Sequence, residues 1–143
     1  MPRFFQTALD PALTFYRAFR SNHAADLAGR INAFLAAQIA TVSVAGINVA
    51  GMGAGGTWCV VIAGSTNAMV PAGSIQASTV RVVFGEIQDT EVQIGALYAA
   101  MEPALNPDPL LFTVGVVDHL IAGAGDGGKW LLGLVGQLTP EGG

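Results

Sequence analysis

Two histidines, one cysteine and scattered carboxylates are the side chains here that could do chemistry. A metal centre gathers three or four ligands. His23 and His119 occupy unrelated surroundings, and Cys59 lies in the apolar run TWCVVIA, where it reads as a small buried hydrophobe. Asp118, His119 and Asp126 could converge near the second glycine-rich segment, but the matching positions earlier in the chain are Gly46, Ile47 and Ala54. No metal and no cofactor is expected. Glu86, Asp89 and Glu91 cluster where a second helix should begin, and a helix dipole stabilises acids there. Nucleophilic catalysis lacks its signatures: there is no Gly-x-Ser-x-Gly elbow and no Cys–His pairing by motif. GMGAGG (51–56) and GAGDGG (123–128) suggest phosphate-cradling loops. Such loops run from a strand into a helix and end in Gly-Lys-Ser/Thr. These run from strand to strand and read as hairpin connections. The expectation is a protein that is not an enzyme.

The elements that would position these residues come in two matching sets. Thr41 to Gly64 aligns with Thr113 to Gly136 at a shift of 72, with ten of 24 positions identical, among them Trp58/Trp130 and Gly64/Gly136. A repeat of this kind is the first thing to test in a fold. The first module opens with an aromatic strand, Leu13 to Phe19. Ser21 and Asn22 are candidate helix caps. A helix follows from about 23 to 38, with Leu27, Ile31, Phe34 and Leu35 on one face. A strand with alternating Val42 and Val44, the glycine turn and WCVVIA complete the module. The second module has a strand from Thr79 to Glu86 and a helix from about 90 to 105, followed by strands LLFTVGVV and KWLLGLVG. Ile94, Leu97, Tyr98 and Met101 should line the buried face of its helix. INAFLAA (31–37) and IGALYAA (94–100) look equivalent at a shift of 63, with NPDP (106–109) as the insertion. The link 65–78 has turn composition and room for a short edge strand. FFQTAL near the start could add a strand, and TPEGG should fray.

The expected fold is a single α+β domain over 1–143, built of internally duplicated strand-helix-strand-strand modules (about 12–64 and 79–138). Its sheets should be rich in antiparallel pairs, with one helix per module. In topology alone, tandem modules of this length resemble the vicinal-oxygen-chelate proteins. Those place metal-binding His and Glu on module strands. Here only Glu86 stands in such a place, so the chemistry does not follow. Sliding clamps also repeat modules, but they line a hole with basic residues, which this chain lacks.

Composition narrows the function. Charged residues make up 11% and hydrophobic residues 52% of the chain, against roughly 25% charged in an average soluble domain. No charged residue falls between Arg30 and Arg81. A membrane span is not expected: 39–63 contains five glycines, and its partner segment carries Asp118, His119, Asp126 and Lys129. No signal peptide is evident, and a lone cysteine fits folding in a reducing cytoplasm. Six basic residues against ten acids make a poor nucleic-acid surface. Charge is split: residues 1–80 carry four Arg against two Asp, and residues 81–143 carry Arg81 and Lys129 against eight acids. Unlike halves attract.

The functional expectation is a structural subunit of a symmetric homo-oligomer, with a trimer favoured because it would present six similar modules. A capsid decoration (cement) protein or another virion-associated protein would fit, with a capsid or shell protein as second partner. The candidate assembly contacts are Trp58, Trp130, Arg17, Arg20, Asp118, Asp126 and Lys129. The alternative is a small-ligand-binding protein or enzyme, its pocket between the modules and lined by Asp118, His119 and Glu86 or by the two tryptophans.

Overall fold

The computed structural model describes residues 11–52, 57–66, 73–87, 91–122 and 129–141. Both glycine-rich segments, the FFQTAL segment and Asp126 lie wholly or mostly outside these residues. The described chain is α+β, with two helices and seven strands in two antiparallel sheets.

The first half runs β1 (Thr14–Ser21), α1 (Ala24–Ala36), β2 (Ser43–Met52) and β3 (Trp58–Ser65). A two-residue edge strand β4 (Ile75–Gln76) and one 3-10 turn lead to the second half. That half runs β5 (Val80–Ile87), α2 (Glu91–Met101), β6 (Phe112–Ala122) and β7 (Trp130–Pro140). The sheets are ordered β1-β3-β2-β4 and β5-β7-β6, so in both halves the first strand pairs with the third and the third with the second. Registers match as well. Ser21 faces Trp58 as Ile87 faces Trp130. Both hairpins break register at the shift of 72, between Val44 and Gly46 and between Val116 and Asp118, and the first has a further shift between Val49 and Met52.

Gly64 shows why these positions are held. A Cβ there would lie 2.5 Å from Phe15 Cζ and 2.5 Å from the Ser43 carbonyl oxygen. Its counterpart Gly136 is nearly as tight, 2.8 Å from Val114 Cγ2. Close approach, not backbone freedom, demands glycine at both sites.

α1 follows the expected periodicity. Leu27, Ile31 and Leu35 are fully buried, each contributing about 1.5–3 kcal/mol by transfer from water. It ends where the Ala37 N–H bonds back to Ala33 and the Gln38 amide turns onto the Phe34 carbonyl. α2 is shorter than its sequence predicts. Pro103 has no N–H to continue the ladder, so the chain tightens into a 3-10 turn over Glu102–Leu105. NPDP then forms a side-chain-bonded turn: Asn106 Nδ2 donates to the Phe112 carbonyl, and the Asp108 N–H donates to Asn106 Oδ1. The expected frayed tail is a correction. Thr139 and Pro140 complete β7, and the Glu141 N–H bonds to the Leu111 carbonyl at 2.7 Å.

The layers are offset. Phe19, Ile47, Trp58, Val60 and Ile62 form the inner face of the first sheet. They join α1 and the helix-free face of the second sheet (Val80, Val82, Phe84, Leu120, Leu131, Val135) in one apolar cluster. The other face of the second sheet carries Leu132 and Leu134 and is covered by α2 through Ile94, Leu97, Tyr98 and Met101. The second sheet is therefore buried on both faces, and the first on one.

Candidate functional site

The contact between the halves is the most elaborated feature of the described structure. β5 is an edge strand, and an open edge exposes unpaired backbone groups. Asn32 of α1 closes it. Its Nδ2 donates to the Val82 carbonyl and its Oδ1 accepts the Val82 N–H, both at 2.8 Å. One turn or more along, the Ala24 N–H at the start of α1 donates to Glu86 Oε2 at 3.0 Å. Glu86 Oε1 lies 3.7 Å from Lys129 Nζ.

Two expectations change here. Ser21 and Asn22 do not cap α1. The N-cap is His23, whose side chain makes no cap bond; Ser21 Oγ accepts from the His23 N–H, and the carboxylate of Glu86 reaches a first-turn N–H. Glu86 thus serves the positive end of the first helix rather than the second. Only the fold could bring residues so distant in sequence together.

The expected contact residues divide. Trp58 is fully buried (0% exposed), so it is withdrawn as a surface contact. Asp118 is also buried, at 8% exposed, on the face of β6 shared with Leu120; one carboxylate oxygen accepts the His119 N–H at 2.8 Å. Its other oxygen, Ser43 Oγ and Trp58 Nε1 have no hydrogen-bond partner among the described residues. Lys129 is half-exposed and engaged with Glu86. Arg17 is exposed and lies over the rings of Phe19 and Phe34, at 5.3 and 5.4 Å. Arg20 is exposed and donates to Thr57 Oγ1. Trp130 is 43% exposed. Asp126 lies outside the described residues.

Chemistry is sparse. Among the described residues no group of three or more His, Cys, Asp or Glu is placed to hold a metal ion. Cys59 is half-buried on the outer face of β3. The His119 ring packs edge-on against Tyr98 at 5.4 Å, and the Tyr98 hydroxyl donates to the Leu120 carbonyl. Burial pushes the Tyr98 phenol above its usual range. A cleft of about 490 Å³ opens beside α2, lined by Ala99, Glu102, Pro103, Asn106, Pro109 and Val114. All six belong to the second half. None of Asp118, His119, Glu86 or the tryptophans lines it, and between the halves the described side chains form a packed core. No helix among the described residues is long and apolar enough to cross a membrane.

Two surfaces escaped the sequence reading. The outer face of the first sheet presents Tyr16, Ala18 and Arg20 with half-buried Cys59, Val61 and Ala63. The outward side of α2 presents Gly95, Ala96, Ala99 and Ala100, all exposed. The second was legible in IGALYAA, which is apolar all round and so leaves apolar residues outside whichever face it buries. No protein-family model matches the chain, and comparison with curated proteins and with solved structures returned no match.

Proposed function

We propose that the protein is a building block of a symmetric homo-oligomer. The exposed outer face of the first sheet carries this reading. Its counterpart in the second sheet is fully packed, as Leu131 and Val135 show, whereas Tyr16 stands 73% exposed. Exposed large apolar residues also include Ile39, Leu110, Leu111, Ile121 and Trp130. Apolar patches of this extent commonly mark interaction sites. The charge split between the halves supports contact between unlike surfaces. A trimer would set six similar half-chains around one axis, and that arrangement suits a seat on a larger symmetric shell. Decoration of a virus capsid is the setting we propose for it.

Sedimentation velocity of the purified chain at micromolar concentration tests the reading. A stable assembly of several copies is the expected result, and a trimer supports the preferred symmetry. A monomer at every concentration sinks it.

A further inference from the structure

The way the two halves pack inside one chain defines how one copy can pack on the next. Within the chain, the first half offers α1 and the inner face of the first sheet, and the second half offers the helix-free face of its sheet. Tyr16 faces Ala63 across the first sheet as Val82 faces Val135 across the second, so Tyr16 stands where Val82 stands. Likewise Arg20 faces Cys59 as Glu86 faces Leu131. The receiving surface used once inside the chain therefore recurs, unoccupied by the other half, on the outer face of the first sheet.

The inserting surface recurs too. Trp58 and Val49 pack in the cluster shared between the halves; their counterparts at the shift of 72, Trp130 and Ile121, are 43% and 53% exposed. Phe34 of α1 meets Phe19, and Leu97 of α2 lies 3.2 Å from the Cβ position of Gly85, which is the place of Phe19 in the second half. The helices are thus equivalent at the shift of 63, which puts Gly95 in the place of Asn32.

Size and charge are both exchanged across the recurrence. Inside the chain, the Asn32 amide reaches the Val82 backbone past a side chain of modest size. Between copies, large exposed Tyr16 would meet Gly95, which has nothing within 4 Å of its Cβ position. Inside the chain the sheet carries the acid, Glu86, against the bare start of α1. On the outer face of the first sheet the residue in the place of Glu86 is a base, Arg20. A base in the place of the acid that serves the start of α1 disfavours the two halves swapping places.

We propose that a second copy of this chain docks on the outer face of the first sheet through its α2 surface, setting Gly95, Ile121 and Trp130 against Tyr16 and Arg20. This rests on the homo-oligomer reading and gives it a geometry. The contact joins unlike surfaces, so it closes into a ring or extends as a filament.

Two variants of the full chain test it. Tyr16→Asp spoils the sheet surface and Ile121→Lys spoils the α2 surface; both sites are exposed, and circular dichroism checks folding. Each variant alone is expected to sediment as a monomer where the wild type is assembled. An equimolar mixture is expected to form dimers and nothing larger, because one intact surface of each kind remains. Trp130 emission should shift to shorter wavelength in the mixture. Folded variants that keep the wild-type mass, or a mixture that stays monomeric, overturn this contact while leaving the homo-oligomer reading standing. A wild-type chain that is itself monomeric overturns that reading and this contact with it.

Discussion

Tyr98 joins the two layers of the second half at a single side chain. Its ring supports His119 and its hydroxyl holds the Leu120 carbonyl. Burial raises its pKa above the ordinary tyrosine value of about 10, so between that value and the folded one the unfolded chain loses the proton first. Stability from this group is full below about pH 10 and is lost as the pH rises through the folded value. Urea denaturation from pH 9 to 11.5 should show a steeper alkaline loss for the wild type than for Tyr98→Phe. At neutral pH the Phe variant should be weaker by about 1 kcal/mol, the usual net worth of such a bond. At this scale the sequence was informative about kind and silent about address. The apolar run around Cys59 reads as a buried site, whereas Cys59 is only half-buried, on the outer face of β3. Trp58 and Trp130 looked alike in the chain but differ fully in exposure, because the other half covers only one of them.

Elements were the more legible scale. The period of Leu27, Ile31 and Leu35 marked α1, and alternation marked the strands. α2 ends short of Leu105, where its apolar pattern runs on, because Pro103 cannot continue the ladder. What α1 does for β5 was invisible, since nothing in local pattern says that Asn32 will meet a strand edge fifty residues on. Asn32→Ala leaves the Val82 N–H and carbonyl without their partner at a part-buried edge. The expected cost is about 2–3 kcal/mol, from two lost bonds with incomplete rehydration. Chemical denaturation would measure it, and amide hydrogen exchange at Val82 should quicken selectively. An unchanged midpoint would mean that water replaces the amide without loss.

For the whole molecule, the shared core implies dependence of one half on the other. Residues 79–143 expressed alone would expose Val82, Phe84, Leu131 and Val135, which the first half now buries. That fragment should aggregate or remain unfolded, and should recover soluble, folded signal only when mixed with the first half. A soluble, cooperatively folding fragment would show that the second sheet and α2 suffice. The same offset packing explains why the assembly reading rests on a surface count that no composition figure could supply. Scarcity of charge says that apolar surface is abundant; the layers say which of it stays exposed.

By itself the sequence determined the class and the order of the elements, because these follow from local periodicity. Tertiary structure decided that the halves stack with an offset. It placed Glu86 on the first helix, buried Trp58 and Asp118, and left Tyr16, Ile121 and Trp130 outside. The physical reason is that the contact between the halves buries one face of the first sheet and the helix-free face of the second. Which surfaces remain depends on long-range packing that no local pattern encodes.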